Sequence, residues 1–289
     1  MKTLLTTGFG LRLAALATAL LVGPAALAPG TAEAPATSAL AGEGTTAAQR
    51  YGWRVMQWDY AWEFGEDLDS PAYRGANIRG GKWLDYSTGT GRAVKSGGGI
   101  EFHTGERYDR TPDFGVTRLT LSGKAESRGR WELKERTRLA ERGGPDFEFV
   151  VELVPEGTAP DECPDYRLTV GRSALGGGSV RIGVNVGARA WTKTLTGYGR
   201  TGVTPRLYAV QITRGRITWF LDSRAVASTT AAAAIPKVPL TLRMSVVGSG
   251  TTDRDKADVL IDWVRNYDLT KGLRAPTGQS LITGSPGPC

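Results

Sequence analysis

Residues 146–172 read DFEFVVELVPEGTAPDECPDYRLTVGR, and their first part alternates apolar and polar side chains. The apolar side of this run consists of Phe147, Phe149, Val151 and Leu153. Glu148 and Glu152 fall on the opposite side. Successive side chains of a β-strand point to opposite faces, so this period of two predicts a half-buried strand. After a turn that contains proline and glycine, the run PDYRLTV predicts a neighbouring strand.

The same alternation recurs along the chain, in VRIGVNV (180–186) and in LTLRMSV (240–246). Further candidate strands are VTRLTLSG, GRWELKERTRL, LYAVQITRG, ITWFLDS and VLIDWVRNYDL. Glycine-rich turns separate them, and no convincing helical period follows Tyr51. Many short strands joined by tight turns predict an all-β fold, a two-sheet sandwich or jelly roll.

The N-terminus has the pattern of a secretory signal. Lys2 and Arg12 supply positive charge, and residues 13–22 form an apolar stretch too short to span a bilayer. Small-residue cleavage sites end at Ala28 and at Ala41, and we favour the second. A membrane anchor is the alternative. The expected mature protein is secreted and has no membrane span.

These patterns divide the chain into four parts. We expect a signal peptide and leader at 1–41 and a flexible spacer at 42–50, because the latter region is rich in small and polar residues. The β-jelly-roll domain is expected at 51–272. A tail rich in proline, glycine and serine follows at 273–289 and is expected to lie along the surface.

The charge balance is moderately basic, with 36 Lys and Arg against 29 Asp and Glu and a net charge of +7. Outside a cell, such a charge suits contact with an anionic wall polymer or an acidic polysaccharide. Simple solubility is the alternative explanation. Scattered arginines and the expected export argue against nucleic acid as a partner.

The two cysteines, Cys163 and Cys289, have two interpretations. In an oxidising compartment a pair of cysteines predicts one disulfide, which would tie the C-terminal residue to the middle of the chain. Alternatively, Cys163 is buried and Cys289 is a free terminal thiol.

The sequence lacks the residues that several kinds of catalytic site need. The only histidine is His103, and no Gly-x-Ser-x-Gly elbow accompanies it, so a Ser-His-Asp system is not indicated. One histidine and two distant cysteines do not make a zinc set. In DRDKAD (253–258), basic residues interrupt the aspartates, which favours a solvated turn over a calcium loop. We expect no metal and no cofactor.

Tryptophan is a candidate sugar-binding residue, and the chain has eight. The flat faces of aromatic rings bind the C–H surfaces of sugars. Trp131 and Trp191 are flanked by polar residues, which makes them the better groove candidates. Packing in the core is the alternative for both.

Three segments together resemble glycoside hydrolase family 16, the laminarinase and β-glucanase group. They are GRWELKERTRL (129–139), LYAVQITRGRITWFLDSRAV (207–226) and VLIDWVRNYDL (259–269), in the family's order. The resemblance implies a concanavalin A-like β-jelly-roll sandwich with a saccharide groove on its concave sheet.

The family's carboxylate strand carries Glu-x-Asp-x-x-Glu, or a form one residue shorter, after a Leu-x-Pro run. ELVPEG (152–157) resembles that run, and PDYRLTV then stands where the carboxylates belong. Asp165 falls at the nucleophile position and Arg167 at the assisting aspartate. Thr169 or Val170 falls at the acid/base position, and neither can act as the proton donor. We expect Arg167 to pair with Asp165 on the same strand face.

Three hypotheses follow. The first is a non-catalytic carbohydrate-binding protein whose groove is lined by Trp131, Trp191, Glu148, Asp165 and Arg167. The second is an active endo-β-glucanase with an unusual carboxylate pair, Glu148 and Asp165. The third is a structural envelope protein without a sugar site. The partner expected under the first two is a poly- or oligosaccharide.

Overall fold

The computed structural model describes residues 45–60, 81–89, 91–96, 98–103, 116–139, 147–175, 177–198, 205–248, 257–270, 272 and 277–288. All of them belong to one compact unit. The predicted leader, 1–41, lies outside the described residues. Within the described ranges, no helix has the length and apolar character needed to cross a membrane.

Nearly all regular structure is β. The strands are β1 (Met56–Tyr60), β2 (Lys82–Asp85), β3 (Arg92–Ser96), β4 (Gly99–His103), β5 (Val116–Ser122), β6 (Gly129–Leu139), β7 (Glu148–Pro155), β8 (Tyr166–Ala174), β9 (Ser179–Val186), β10 (Arg189–Thr196), β11 (Arg206–Ile212), β12 (Ile217–Leu221), β13 (Arg224–Thr229), β14 (Leu240–Val247), β15 (Ala257–Tyr267), β16 (Gln279–Ser280) and β17 (Ile282–Gly284). The described residues also form one α-helix, α1 (Ala47–Tyr51), and a short 3-10 turn at Ala232–Ala234.

The described strands form two sheets. In the first sheet the order is β16-β13-β12-β11-β6-β15-β4-β3, and β1 also pairs with β15. In the second sheet it is β17-β10-β9-β8-β7-β14-β5-β2. Apart from the parallel pair β13–β16, neighbouring strands are antiparallel. The predicted all-β, two-sheet architecture is confirmed.

The core lies between the facing sides of the two sheets. It includes the apolar side predicted for β7, with Phe149, Val151 and Leu153, and the equivalent side of β14. From the first sheet it receives Trp131 and Tyr208. Burial of one side of each strand fixes the register, because a slip of one residue would expose the whole apolar set.

A β-bulge in β8 changes which side chains face outward. Glu152 of β7 pairs with Thr169, but the preceding residue, Val151, pairs with Gly171, so Val170 is the extra residue. A Cβ atom on Gly171 would lie 2.4 Å from the ring of Tyr208. Only glycine therefore allows the Tyr208 ring of the first sheet to pack against the bulge.

The expected flexible spacer, 42–50, is partly wrong because α1 begins within it. Thr46 and Gln49 form a reciprocal capping box at the start of this helix. The helix residues Ala47, Ala48 and Tyr51 are buried against the outer side of the first sheet, in one apolar cluster with Phe220. Tertiary burial stabilises this five-residue helix, which would be marginal in isolation.

A buried carboxyl group lies under α1. Glu132 of β6 is 1% exposed, and its Oε1 accepts a hydrogen bond from the backbone N–H of Ala47. Burial raises the pKa of Glu132 from 4.5 to about 7, although backbone hydrogen bonds from Ala47 and Ala48 and the charge of Arg265 act in the opposite direction.

The expected surface tail contributes a strand to each sheet. β16 pairs in parallel with β13 of the first sheet. β17 pairs antiparallel with β10, at the edge of the second sheet. The tail is exposed along most of its described length, and it has a defined path that ends over the second sheet.

Candidate functional site

The outer side of the second sheet carries a cluster of charged residues from four adjacent strands. They are Arg118 of β5, Glu148 and Glu152 of β7, Arg167 and Arg172 of β8, and Arg243 of β14. We call this set the arginine face. It faces outward because its members alternate with core residues, for example Glu152 with Val151 and Leu153.

Glu152 lies at the centre of the arginine face and is almost fully buried. Its Oε1 lies 3.3 Å from Nε of Arg167, and its Oε2 lies 3.0 Å from Nη2 of Arg243. Both carboxylate oxygens are therefore engaged by guanidinium groups. A buried carboxylate needs such partners, because an unpaired charge in the protein interior is costly.

Glu148, at the other end of β7, forms a second ion pair. Its Oε2 accepts hydrogen bonds from Nε of Arg172 at 2.9 Å and from Nη2 of the same side chain. Arg172 is 8% exposed, whereas the side chain of Glu148 is 34% exposed. This pair is thus half open to solvent.

A loop, residues 156–165, covers one half of the arginine face. Arg118 donates a hydrogen bond to the carbonyl of Pro160 and another, of 3.1 Å, to Oγ of Ser245. Arg243 donates to the carbonyl of Glu162 at 3.3 Å. This half includes β5 and β14. We call it the open half because it contains a cavity, although the loop lies over it.

The end of the tail covers the other half, on β8. Arg167 donates from Nη2 to the carbonyl of Gly287 at 2.9 Å, and Arg172 donates from Nη1 to the carbonyl of Pro288 at 2.9 Å. We call this part the covered half. Arg167 is 2% exposed.

Burial and the repulsion between neighbouring positive charges lower the pKa values of two arginines on this face. Burial lowers the pKa of Arg167; Glu152 opposes this, whereas the charges of Arg172, Arg243 and Arg181 add to it. Burial also lowers the pKa of Arg118, and the nearby charge of Arg243 acts in the same direction. The face is therefore a site where positive charges are crowded.

The cavity of the open half has a volume of 240 Å³. Its lining residues are Arg118, Val150, Glu152, Asp161, Glu162, Arg243, Ser245 and Val247. Guanidinium groups, carboxylates and a hydroxyl thus converge on one small space, and they can donate hydrogen bonds to ligand oxygens and accept them from ligand hydroxyls.

The predicted carboxylate pair, Glu148 and Asp165, is wrong. Asp165 precedes the first residue of β8, whereas Glu148 pairs with Ala174, the last residue of β8. At about 3.3 Å per residue, the two ends of β8 are roughly 25 Å apart. Glycosidase carboxyl groups lie about 5–9.5 Å apart, so these two cannot act on one bond.

Arg167 does not pair with Asp165 as expected. Asp165 is exposed, and its carbonyl accepts a hydrogen bond from the backbone of Gly187. Arg167 instead pairs with Glu152, because the bulge places both on the outer side of neighbouring strands. At the acid/base position, Thr169 faces outward opposite Glu152.

The two tryptophans expected in the groove lie elsewhere. Trp131 is 2% exposed and belongs to the core, on β6 of the first sheet. Trp191 of β10 pairs with Val184, a core residue, and is partly buried against the core. Both therefore lie on the inner side of their sheets, and the structure does not bring them to the arginine face.

Cys163 lies in the loop over the arginine face, and its Sγ lies 3.4 Å from Nη1 of Arg167. No cysteine in the described ranges is free. Its expected partner, Cys289, lies outside the described residues, so the bridge between the two stays a prediction. The described tail reaches Pro288 at the arginine face, close to where such a bridge would form.

Among the residues that the structure describes, one group could offer metal ligands. Glu101, His103 and Asp258 have donor atoms within 4.8 Å of one another, at the junction of β4 and β15. Nδ1 of His103 lies 2.7 Å from Oδ1 of Asp258, so these two atoms already satisfy each other. The group needs no cation to explain it.

Sequence reasoning placed Glu148 and Arg167 at the site. It put Glu152 on the polar side of its strand but not in the site, and it missed Arg118, Arg172 and Arg243. A signal existed for Arg243, because it stands on the polar side of the alternating run LTLRMSV. Arg172 follows the bulge and therefore could not be assigned to a face by simple alternation.

Comparison with known proteins supports the fold. No family model and no curated protein matches the chain. Among solved structures, the laminarinase catalytic domain of Thermotoga petrophila matches with a TM-score of 0.55 and 11% identity, over 76% of this chain and 100% of that one.

Two other solved structures are also similar to this chain in fold. An endo-β-galactosidase from Clostridium perfringens that releases GlcNAcα1-4Gal matches with a TM-score of 0.54 and 10% identity, over 76% of this chain and 63% of that one. A non-specific endo-β-1,3(4)-glucanase from family GH16 matches with a TM-score of 0.50 and 12% identity, over 74% and 90%. At such identities the likeness shows the fold alone. The laminarinase-like jelly roll expected from the sequence is thus confirmed.

Proposed function

We propose that the protein is a secreted, non-catalytic glycan-binding protein, which holds a poly- or oligosaccharide without cleaving it. The observation that carries this proposal is the outer side of β8, which presents Arg167, Thr169 and Arg172. Hydrolysis needs two suitably spaced carboxyl groups, one of which donates a proton. None of these three side chains supplies one.

The binding site of this proposal is the open half of the arginine face. Arg118 and Arg243 offer several N–H donors, and Ser245 adds a hydroxyl. The cavity of 240 Å³ is smaller than a typical ligand pocket of about 300–1,000 Å³. It suits one sugar residue or the end of a glycan chain. Solved structures with the same fold include polysaccharide-active enzymes, which supports a glycan as the ligand.

An active endo-β-glucanase is the second candidate, and one observation favours it. Three carboxyl groups, those of Glu152, Asp161 and Glu162, line the same cavity. Glu152 is engaged by two arginines, but Asp161 and Glu162 are exposed on the loop. In this candidate the loop residues would replace the carboxylates that β8 lacks.

Two assays on the purified full chain separate these candidates. We expect titration calorimetry with laminarin, mixed-linkage β-glucan and β-galactan to detect binding, and reducing-end assays with the same glycans to detect no release. Arg118→Gln should weaken binding at least about tenfold by removing charge-assisted hydrogen bonds. Arg224→Gln makes the same charge change on β13, away from the arginine face, and should leave binding unchanged.

Other outcomes of the two assays would contradict the binding-only proposal. Glycan cleavage that Asp161→Asn or Glu162→Gln abolishes would establish the enzyme and refute the binding-only proposal. Neither substitution should disturb the fold, because both side chains are exposed. If the protein neither binds nor cleaves any glycan of the panel or an anionic wall polymer, the result would favour a structural envelope protein.

A further inference from the structure

The tail segment, residues 285–288, lies on the arginine face in the position of a ligand. After β17 joins the edge of the second sheet, the chain reaches Arg167 and Arg172 and binds them through the carbonyls of Gly287 and Pro288. Gly287 also lies beside Arg181 of β9, since a Cβ atom on it would be 2.9 Å from Nη1.

Because of its composition, the tail segment offers mainly backbone carbonyl oxygens, which accept hydrogen bonds. It reads Ser-Pro-Gly-Pro, and neither proline has a backbone N–H. It accepts hydrogen bonds from Arg167 and Arg172 through the backbone carbonyl oxygens of Gly287 and Pro288. Any ligand that presents oxygen atoms at the same two places could make equivalent contacts.

The charges beneath the tail segment favour an anion over these neutral carbonyls. Arg167, Arg172 and Arg243 share the carboxylates of Glu148 and Glu152, and Arg181 adds a further positive charge. A carboxylate carries a full negative charge and so attracts a guanidinium group more strongly than a neutral carbonyl does, and the planar guanidinium fits a carboxylate with two parallel bonds.

We propose that the covered half of the arginine face is a subsite for a uronate-containing polysaccharide, and that the tail segment is a built-in occupant which keeps this subsite closed. The predicted bridge between Cys163 and Cys289 holds the occupant in place. This inference rests on the proposed glycan-binding function, and it adds the class of glycan and a means of control.

The test compares the wild-type chain with the variant Cys163→Ser/Cys289→Ser, in which the end of the tail is not tethered. Polygalacturonate is the acidic probe and laminarin the neutral one, with dissociation constants from titration calorimetry. We expect the variant to bind polygalacturonate at least about tenfold more tightly, because bonds from the arginines to carboxylates replace bonds from the same arginines to neutral carbonyls. Laminarin affinity should be the same for both proteins.

Two substitutions in the untethered variant show whether the gain comes from the covered half. Arg181→Gln should reduce the gain, whereas Arg224→Gln, on the first sheet, should preserve it. Equal weakening by the two would mean general attraction of a polyanion and would overturn the inference. Hydrogen exchange at Ile282–Gly284 should increase when polygalacturonate binds, since the ligand displaces the neighbouring tail segment.

Failure of the inference differs from failure of the proposed function. If laminarin binds both proteins and polygalacturonate gains nothing in the untethered variant, the inference is wrong and the proposed function stands. If no glycan binds either protein while both retain cooperative thermal unfolding, the proposed function fails, and the inference fails with it.

Discussion

At the scale of single residues, Glu152 is the side chain on which the arginine face depends. It is 4% exposed and accepts from Arg167 on one strand and from Arg243 on another. Such a shared carboxylate offsets two buried positive charges at once. The same engagement takes it away from the role of a catalytic carboxyl group, which must be available to a substrate.

We predict that Glu152→Gln lowers the free energy of unfolding by about 3–5 kcal/mol, because Arg167 and Arg243 then lose their shared negative partner in a buried position. Urea denaturation measures the change. Glu156→Gln is the matched control, since Glu156 is exposed, and it should cost less than about 1 kcal/mol. Similar losses in both variants would contradict the central role of Glu152.

A second residue-scale prediction concerns Glu132, whose pKa is raised to about 7 by burial. Between pH 4.5 and pH 7 the unfolded chain releases a proton that the folded chain retains, so stability falls as the pH rises. The pKa shift corresponds to about 3 kcal/mol over this window. Arg265 and Tyr267 face Glu132, and Arg265 also forms an ion pair with Asp59.

Glu132→Gln should remove this slope, because the amide does not titrate. Urea denaturation at several pH values between 4.5 and 7.5 gives the comparison. Asp262→Asn, at an exposed carboxylate paired with Lys134, should leave the slope in place. An unchanged slope in Glu132→Gln would show that another group is responsible.

At the scale of elements, β8 shows what alternation predicts and what it does not. The period of two in PDYRLTV correctly indicated a strand beside β7. It could not indicate the bulge, because an extra residue exists only relative to the partner strand. The bulge decides that Thr169 faces outward while Val170 enters the core, so the faces of this half of the site were not predictable from one strand alone.

Alternation along β6 indicates a core position for Trp131, although its polar neighbours favour a groove. Within β6, Trp131 and Leu133 alternate with Arg130, Glu132 and Lys134, a pattern that is typical of a buried apolar side. The polar neighbours of Trp131 lie on the opposite face of the strand. They therefore say nothing about the surroundings of the indole ring.

Gly171 allows an element-scale prediction. Gly171→Ala should destabilise the fold by about 1–3 kcal/mol, because the new methyl group would overlap the Tyr208 ring and force the two sheets apart at the bulge. Gly215→Ala is the matched control, since a Cβ atom there meets nothing within 4 Å. Thermal unfolding should show a lower melting temperature for the first variant only, and equal melting temperatures would contradict the close contact.

At the scale of the whole molecule, the two ends of the described chain cover opposite sides of the sandwich. α1 packs on the outer side of the first sheet, and the tail segment lies on the outer side of the second. The sequence predicted the sandwich, because many strands with one apolar side have few ways to bury it. It did not predict these coverings, because α1 is too short for a helical period and the tail segment binds through its backbone.

The last prediction concerns the covalent tether of the tail. If Cys163 and Cys289 are bridged, thiol titration of the unreduced, unfolded protein should find no free thiol, and reduction should expose both. A bridge that closes a loop of this length stabilises a fold by about 4–5 kcal/mol in the chain-entropy model. Cys163→Ser/Cys289→Ser should therefore unfold at lower urea concentration. Two reactive thiols before reduction would show instead that only the noncovalent contacts of Arg167 and Arg172 hold the tail segment on the arginine face.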